Sequence, residues 1–283
     1  MAGCFSFTAS HDRCYRFSFS NTGLKSTTTG LGNTTIMHCW VPKSHKPNKP
    51  SLLLLHGMGA NAMWQWNEFI SQLTRRFNIY VPDLLFFGEA HTSKPNRTES
   101  FQAQCVAALM EAHCARRMNV VGDMENGLFV VKNIDEAAMI LIPQTPEKMK
   151  QLVKLTFVKP FKVMPACFLT DFIDVMCTEF RQEKKELIET LYKDRKLSNL
   201  PKITQPTLII WGEQDQVFPL ELELAHRLKR HLGENAQLVV VKNAGDAINM
   251  EKPKELSKIF KSFLIDSTTL PMQENLSNGR KLD

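Results

Sequence analysis

Three features of the sequence predict an α/β protein with a doubly wound, mostly parallel sheet and a helical cap. Short apolar runs at 52–55, 78–84, 119–122, 207–211 and 237–241 have the length and continuity of strands buried on both faces. Stretches with helical apolar spacing alternate with these runs, as a parallel sheet requires. The alternation then breaks between 134 and 197, where three consecutive helices carry Met, Phe and Cys on their apolar sides.

Taken in order, residues 24–30 and 34–41 read as two strands joined at Gly30-Leu31-Gly32-Asn33. A Pro/Lys loop from Lys43 to Pro50 leads into the Leu52–Leu55 strand. Apolar residues at Met63, Trp66, Ile70 and Leu73 place one face on a helix from Ala62 to Arg76. Asn78 to Leu84 is the next buried strand. Thr98 is positioned to cap a helix running to Arg117, and Asn119 to Gly122 is a short strand after it. Among the cap helices, Asp171 to Arg195 is expected to be the longest. Helices at 219–232 and 253–265 follow the last two strands. The polar stretch 267–283 contains Pro271 and Gly279 and reads as a loose tail. The expected division is an N-terminal segment at 1–19, core at 20–126, cap at 127–200, core again at 201–266, and the tail at 267–283.

Composition narrows the function classes. A length of 283 residues with 43% hydrophobic content suits a globular domain of this size. No apolar run reaches the ~18 residues of a membrane span. The net charge is +6, but the first 50 residues hold six basic side chains against Asp12 alone. The remainder is nearly neutral, without the basic face of a nucleic-acid binder. Ser/Thr richness and acid poverty near the N-terminus fit a transit peptide. The strand pattern of Thr34 to Pro42 soon afterwards favours a first hairpin instead. Seven scattered cysteines offer no CxxC pair, no disulfide framework and no metal spacing, so a reduced, cytoplasmic protein without metal or cofactor is expected.

The chemistry-bearing motifs come in a fixed order. They are His56-Gly57-Met58-Gly59 with Ala62-Met63-Trp64-Gln65-Trp66, then Val81 to Gly88, Asn119-Val120-Val121-Gly122, and Trp211-Gly212-Glu213-Gln214-Asp215. Asn243-Ala244-Gly245 ahead of Glu251-Lys252-Pro253 completes the set. Over roughly residues 20–266 the chain resembles cap-bearing α/β-hydrolases of the plant type, similar to monoacylglycerol-lipase-like and meta-cleavage-product-hydrolase-like proteins. The resemblance implies that His56 and Gly57 border the substrate. It also implies that Met58 and Gly59 form the oxyanion loop, with the Met58 N–H as donor, and that Asp215 is the triad acid.

Two positions depart from that pattern. Where the nucleophile turn Gly-x-Ser-x-Gly is expected, the sequence reads Gly122-Asp123-Met124-Glu125-Asn126-Gly127 and runs directly into what reads as the cap. An internal deletion of roughly 30 residues, the size of one βαβ step, accounts for this. The alternative is Met124 replacing Ser in an intact turn, but no helix–strand step follows. Secondly, Asp246 occupies the position of the family's catalytic His. Its reference pKa of about 4, against about 6.5 for His, and its proximity to Asp215 exclude it as the base. Loss of Ser or His alone costs on the order of 10⁶ in kcat, roughly 8 kcal/mol of barrier. Cys105, Cys114, His56 and His91 offer no convincing replacement pair.

The resulting expectation is a relative of serine ester and lipid hydrolases with little or no activity of its own. A second reading is a non-catalytic protein holding a small apolar or ester ligand, as hormone receptors of the wider superfamily do. A third is an active hydrolase with an unrecognised nucleophile. Structurally, loss of a central strand would be closed by docking 207–211 against 119–122, or by 128–131 entering the gap.

Overall fold

The computed structural model describes residues 6–32, 34–122, 133–161, 163–192, 203–217 and 221–266. It opens with a helix the sequence reading did not include, α1 (Phe7–Asn21), capped by Ser6 through its bond to the Ala9 N–H. Phe19 anchors α1 in the core, and Asp171 accepts the Thr8 N–H at 2.7 Å. A turn at Gly23 leads into β1 (Leu24–Gly30), which pairs antiparallel with β2 (Thr35–Pro42), in line with the expected hairpin.

The next elements are β3 (Ser51–Leu55), α2 (Ala62–Leu73), β4 (Asn78–Pro82), the two-residue β5 (His91–Thr92), α3 (Glu99–Ala112) and β6 (Met118–Gly122). Thr98 caps α3 as expected, accepting the Phe101 N–H. The Trp66, Phe69, Ile70 and Leu73 side of α2 is buried. These elements build a sheet in the order β1-β2-β4-β3-β6, with β5 added against β2. β3 pairs parallel with both β4 and β6.

Among its described residues the cap has four helices where three were expected: α4 (Ile134–Leu141), α5 (Pro146–Thr156), α6 (Ala166–Met176) and α7 (Arg181–Tyr192). The single long helix expected from Asp171 is divided, because the chain turns at Cys177–Phe180 and Phe180 takes a positive φ of 51°. Ala138, Ile142, Met149, Leu169, Ile173, Cys177 and Ile188 form the cap's own core.

The C-terminal part holds β7 (Thr207–Gly212), α8 (Glu221–Leu232), β8 (Ala236–Val241), the short α9 (Ile248–Glu251) and α10 (Pro253–Lys261), which ends in a π turn at Ser262–Asp266. β7 and β8 pair parallel as a separate two-stranded sheet. Neither expected closure is found among the described residues: β7 does not pair with β6, and 128–131, like the nucleophile-turn segment 123–127 and the tail, lies outside them. The far edge of β6 therefore has no described strand beside it, and Val120 at its centre is 56% exposed.

Candidate functional site

The His56-Gly57-Met58-Gly59 loop leaves the C-terminal end of β3 and reaches α2 through Asn61, whose side chain caps that helix. His56 is buried and fully engaged. Its Nδ1 lies 2.7 Å from the Gly57 carbonyl oxygen, and its Nε2 accepts the Leu84 N–H at 2.9 Å. That pairing fixes the neutral tautomer with the proton on Nδ1. Burial pushes the imidazole below its ordinary value against the opposing influence of Asp83. His56 thus clamps the β3 loop to the β4 loop. The Gly57 N–H is held by the Gln65 side chain at 2.8 Å. Met58 packs against the cap core, and Gly59 has open space around it.

The β4 loop is organised by Asp83. Its Oδ1 accepts the Ala62 N–H at 3.0 Å, and its Oδ2 faces His38 Nδ1 at 2.8 Å. Burial pushes this carboxyl up, but the His38 bond and charge, His56 and the Ala62 N–H outweigh burial and hold it below the usual carboxylate range. Gly88 closes the loop with φ of 53°, and a Cβ there would collide with the Asp83 carboxylate. In the sequence Asp83 stands inside the Val81–Gly88 motif with no role assigned to it. Its position after a buried strand, beside a Gly five residues on, was the available signal.

Lys184 was also missed. On α7 it reads as part of a charged, solvated run, yet it is buried, with its Nζ 5.0 Å from the centre of the Phe87 ring and bonded to the Met176 carbonyl. Phe87 in turn lies edge-on to His56 at 5.2 Å. Burial lowers the Lys184 ammonium below its ordinary value, with Cys177 and Glu179 opposing. Burial pushes the neighbouring Cys177 thiol up to about 11, so it is not a thiolate nucleophile at neutral pH.

Asp215 and Asp246 sit on the loops following β7 and β8. The half-buried Asp215 accepts the Val217 N–H at 2.9 Å, and Asp246 is exposed. The two loops are tied together: Gln214 N–H donates to the Ala244 carbonyl at 2.9 Å, and Asn243 N–H to the Glu213 carboxylate at 3.1 Å. A Cβ on Gly212 would run into the Ala244 and Gly245 carbonyls, so only glycine permits this approach. The structure therefore ties the Asp215 and Asp246 loops to each other. It puts the His56–Gly59 loop on the other sheet.

A cavity of about 820 Å³ adjoins the His56–Met58 loop. It lies between α3 and the β3–β6 face, lined by Leu53, Leu55, Val106, Met110 and Met118, with Leu187 from the cap. α3 is apolar around most of its circumference, a pattern that calls for burial on both sides. Its Ala103 and Ala107 are instead exposed and line the cavity. Among the described residues no group of His, Cys, Asp or Glu has metal-site geometry, and no helix is long and apolar enough to cross a membrane.

The model of the alpha/beta hydrolase fold family matches residues 50–123. Monoacylglycerol lipase ABHD6 of Bos taurus is 31% identical over 291 residues, taking in 87% of this chain and 82% of the relative. The chain belongs to the α/β-hydrolase family. In the mouse and human proteins of the same name, at 35% and 34% identity, the match spans 41% and 40% of their lengths. Among solved α/β-hydrolases, lip1 of Acinetobacter baumannii AYE superposes with a TM-score of 0.75 at 22% identity, covering 95% of this chain and 99% of that one. The 2-hydroxy-6-oxo-6-phenylhexa-2,4-dienoate hydrolase of Rhodococcus sp. strain RHA1 gives 0.68 at 16%, covering 85% and 99%. These likenesses agree with the lipase-like and meta-cleavage-hydrolase-like motifs of the sequence.

Proposed function

We propose that this chain is a lipase-related α/β-hydrolase scaffold with little or no serine-hydrolase activity at the family's own site. The observation that carries this reading is that, among the described residues, no strand joins β6 to β7. The oxyanion-type loop and the Asp215 and Asp246 loops thus stand on separately hydrogen-bonded sheets, joined through Asn249, which donates to the carbonyl of Gln65. Two further points support it. Asp246 puts a carboxylate where acyl transfer needs an imidazole. The match to the bovine lipase also runs to 291 residues, longer than this whole chain, although it takes in 87% of it. The relative thus has residues within the matched stretch that have no counterpart here, which fits an internal deletion. We infer a reducing, cytoplasmic setting from the six described cysteines, all unpaired.

The test is hydrolysis of a long-chain monoacylglycerol by the purified, folded chain. Turnover should stay within about tenfold of the uncatalysed rate and be unchanged by Asp215→Asn. Turnover that Asp215→Asn removes would sink the reading. The cavity favours a second role, retention of a single-chain apolar ligand. Its volume lies within the ~300–1,000 Å³ of small-molecule sites, and its walls are largely aliphatic.

A further inference from the structure

A Ser, a His and an Asp lie in hydrogen-bonded sequence on the hairpin side of the β4 loop, with none of the three at a position of the family's triad. Ser26 is on the edge strand β1, His38 on β2, and Asp83 at the end of β4. Ser26 Oγ is 2.9 Å from His38 Nε2, and His38 Nδ1 is 2.8 Å from Asp83 Oδ2. The atoms follow the order of an acyl-transfer triad: hydroxyl to Nε2, Nδ1 to carboxylate. An ionised Asp83 can only accept, so in the neutral imidazole the proton resides on Nδ1 and Nε2 accepts from the Ser26 hydroxyl.

The environment is graded in the way this chemistry needs. Asp83 and His38 are 4% and 1% exposed, while Ser26 is open to solvent. The ring is held in place: His38 lies perpendicular to Trp40 at 6.1 Å, and the backbone N–H of Ala62 fixes the carboxylate from its other oxygen. Trp40 is the register partner of Ser26 across the β1–β2 pair. Its Nε1–H is buried with no hydrogen-bond partner among the described residues.

We propose that Ser26 is a second, surface nucleophile, activated by His38 and oriented by Asp83, that accepts acyl groups from small activated esters. Ser26 Oγ attacks the ester carbonyl carbon while its proton passes to His38 Nε2. The carbonyl–oxygen bond to the leaving group breaks, and that alkoxide or phenoxide takes the proton from His38. Water, deprotonated by the same nitrogen, then cleaves the acyl-serine to release the carboxylic acid. Activated esters are required because Ser26, exposed on an edge strand, does not line the cavity that could bind and orient a larger acyl group.

The experiment is a pulse of p-nitrophenyl acetate on the intact folded chain, with p-nitrophenolate release followed and the acetylated residues mapped by mass spectrometry. A burst of one equivalent, with acetyl on Ser26 and not on exposed Ser71, is expected. Ser26→Ala lies at an exposed position, so the chain should remain folded and lose the burst. His38→Gln should slow it at least about 10²-fold, the scale of a general base. Asp83→Asn should lower the limiting rate without changing the half-saturating ester concentration, which a general loosening of the site would change. Labelling of Ser26 only to the extent of Ser71, or equally in heat-unfolded chain, would overturn the proposal. A burst mapped to a different serine would also overturn it, and would instead challenge the reading of a silent family site.

Discussion

Gly88→Ala tests the description of the Asp83 loop most directly. Two costs follow from the geometry. A non-glycine residue at φ of 53° loses about 1–2 kcal/mol. The new Cβ must also displace a carboxylate that is not free to yield, because Ala62 N–H and His38 hold it from two sides. Losing one such charged, buried hydrogen bond costs about 1.5–3 kcal/mol. Together they predict roughly 3–5 kcal/mol of destabilisation. With a urea m-value near 3 kcal/mol/M, this lowers the unfolding midpoint by roughly 1–1.7 M. The control is Gly59→Ala, where a Cβ meets nothing within 4 Å, and a change within about 0.5 kcal/mol is expected. A Gly88→Ala midpoint within ~0.3 M of the unmodified chain would refute the claim that Asp83 is rigidly held.

Acidification should destabilise the fold in two steps. Burial lowers the folded-state value of His56, and of His113 with it, so below about 6.5 the unfolded chain binds protons the native chain does not. Stability therefore falls as pH drops through that range, and His56→Gln should flatten the slope of the urea midpoint against pH. A further loss is expected below about pH 4 from Asp83, whose folded value is depressed. Val120→Lys should cost no more than about 0.5 kcal/mol, as at any exposed site, whereas a loss above ~2 kcal/mol would show that the strand is covered. Dodecanoic acid at a hundred times its Kd should stabilise the chain by about 2.7 kcal/mol, read as a rise in Tm that Ala107→Trp abolishes. No rise in the unmodified chain would exclude this probe as an occupant of the cavity.

The periodic signals translated well into structure where local chemistry decides the outcome. The Leu52–Leu55 and Asn78–Pro82 runs, the β1–β2 hairpin and the Thr98 cap are set by residues close together in sequence. α1 was not legible, because its apolar residues Phe7, Phe17 and Phe19 are sparse and its stability comes from packing on α2 and from Asp171 on α6. The break at Cys177–Phe180 was hidden for a similar reason: no Gly or Pro marks it. At the site, the loops of Asp215 and Asp246 could be paired from motif order alone. Lys184 could not be found, since a lysine in a charged helical run carries no mark of burial. His38 and Ser26 lie in an otherwise ordinary hairpin, and their relation to Asp83 depends on a strand order that only the assembled sheet supplies.

The separation of β7–β8 from the main sheet bears on how the molecule comes apart. Continuous ladders of backbone bonds make neighbouring strands melt as one. Among the described residues the C-terminal strands meet the body through side chains, with Phe260 of α10 against Phe69 and Trp66 of α2, and Ile210 against the same cluster. Such a joint can open while each half keeps its own hydrogen bonds. Native-state hydrogen exchange should accordingly resolve two cooperative units, with the amides of 207–212 and 236–241 released at a lower opening free energy than those of 51–55 and 78–82. The seam between them places the His56 loop and the Asp215 loop in different cooperative units.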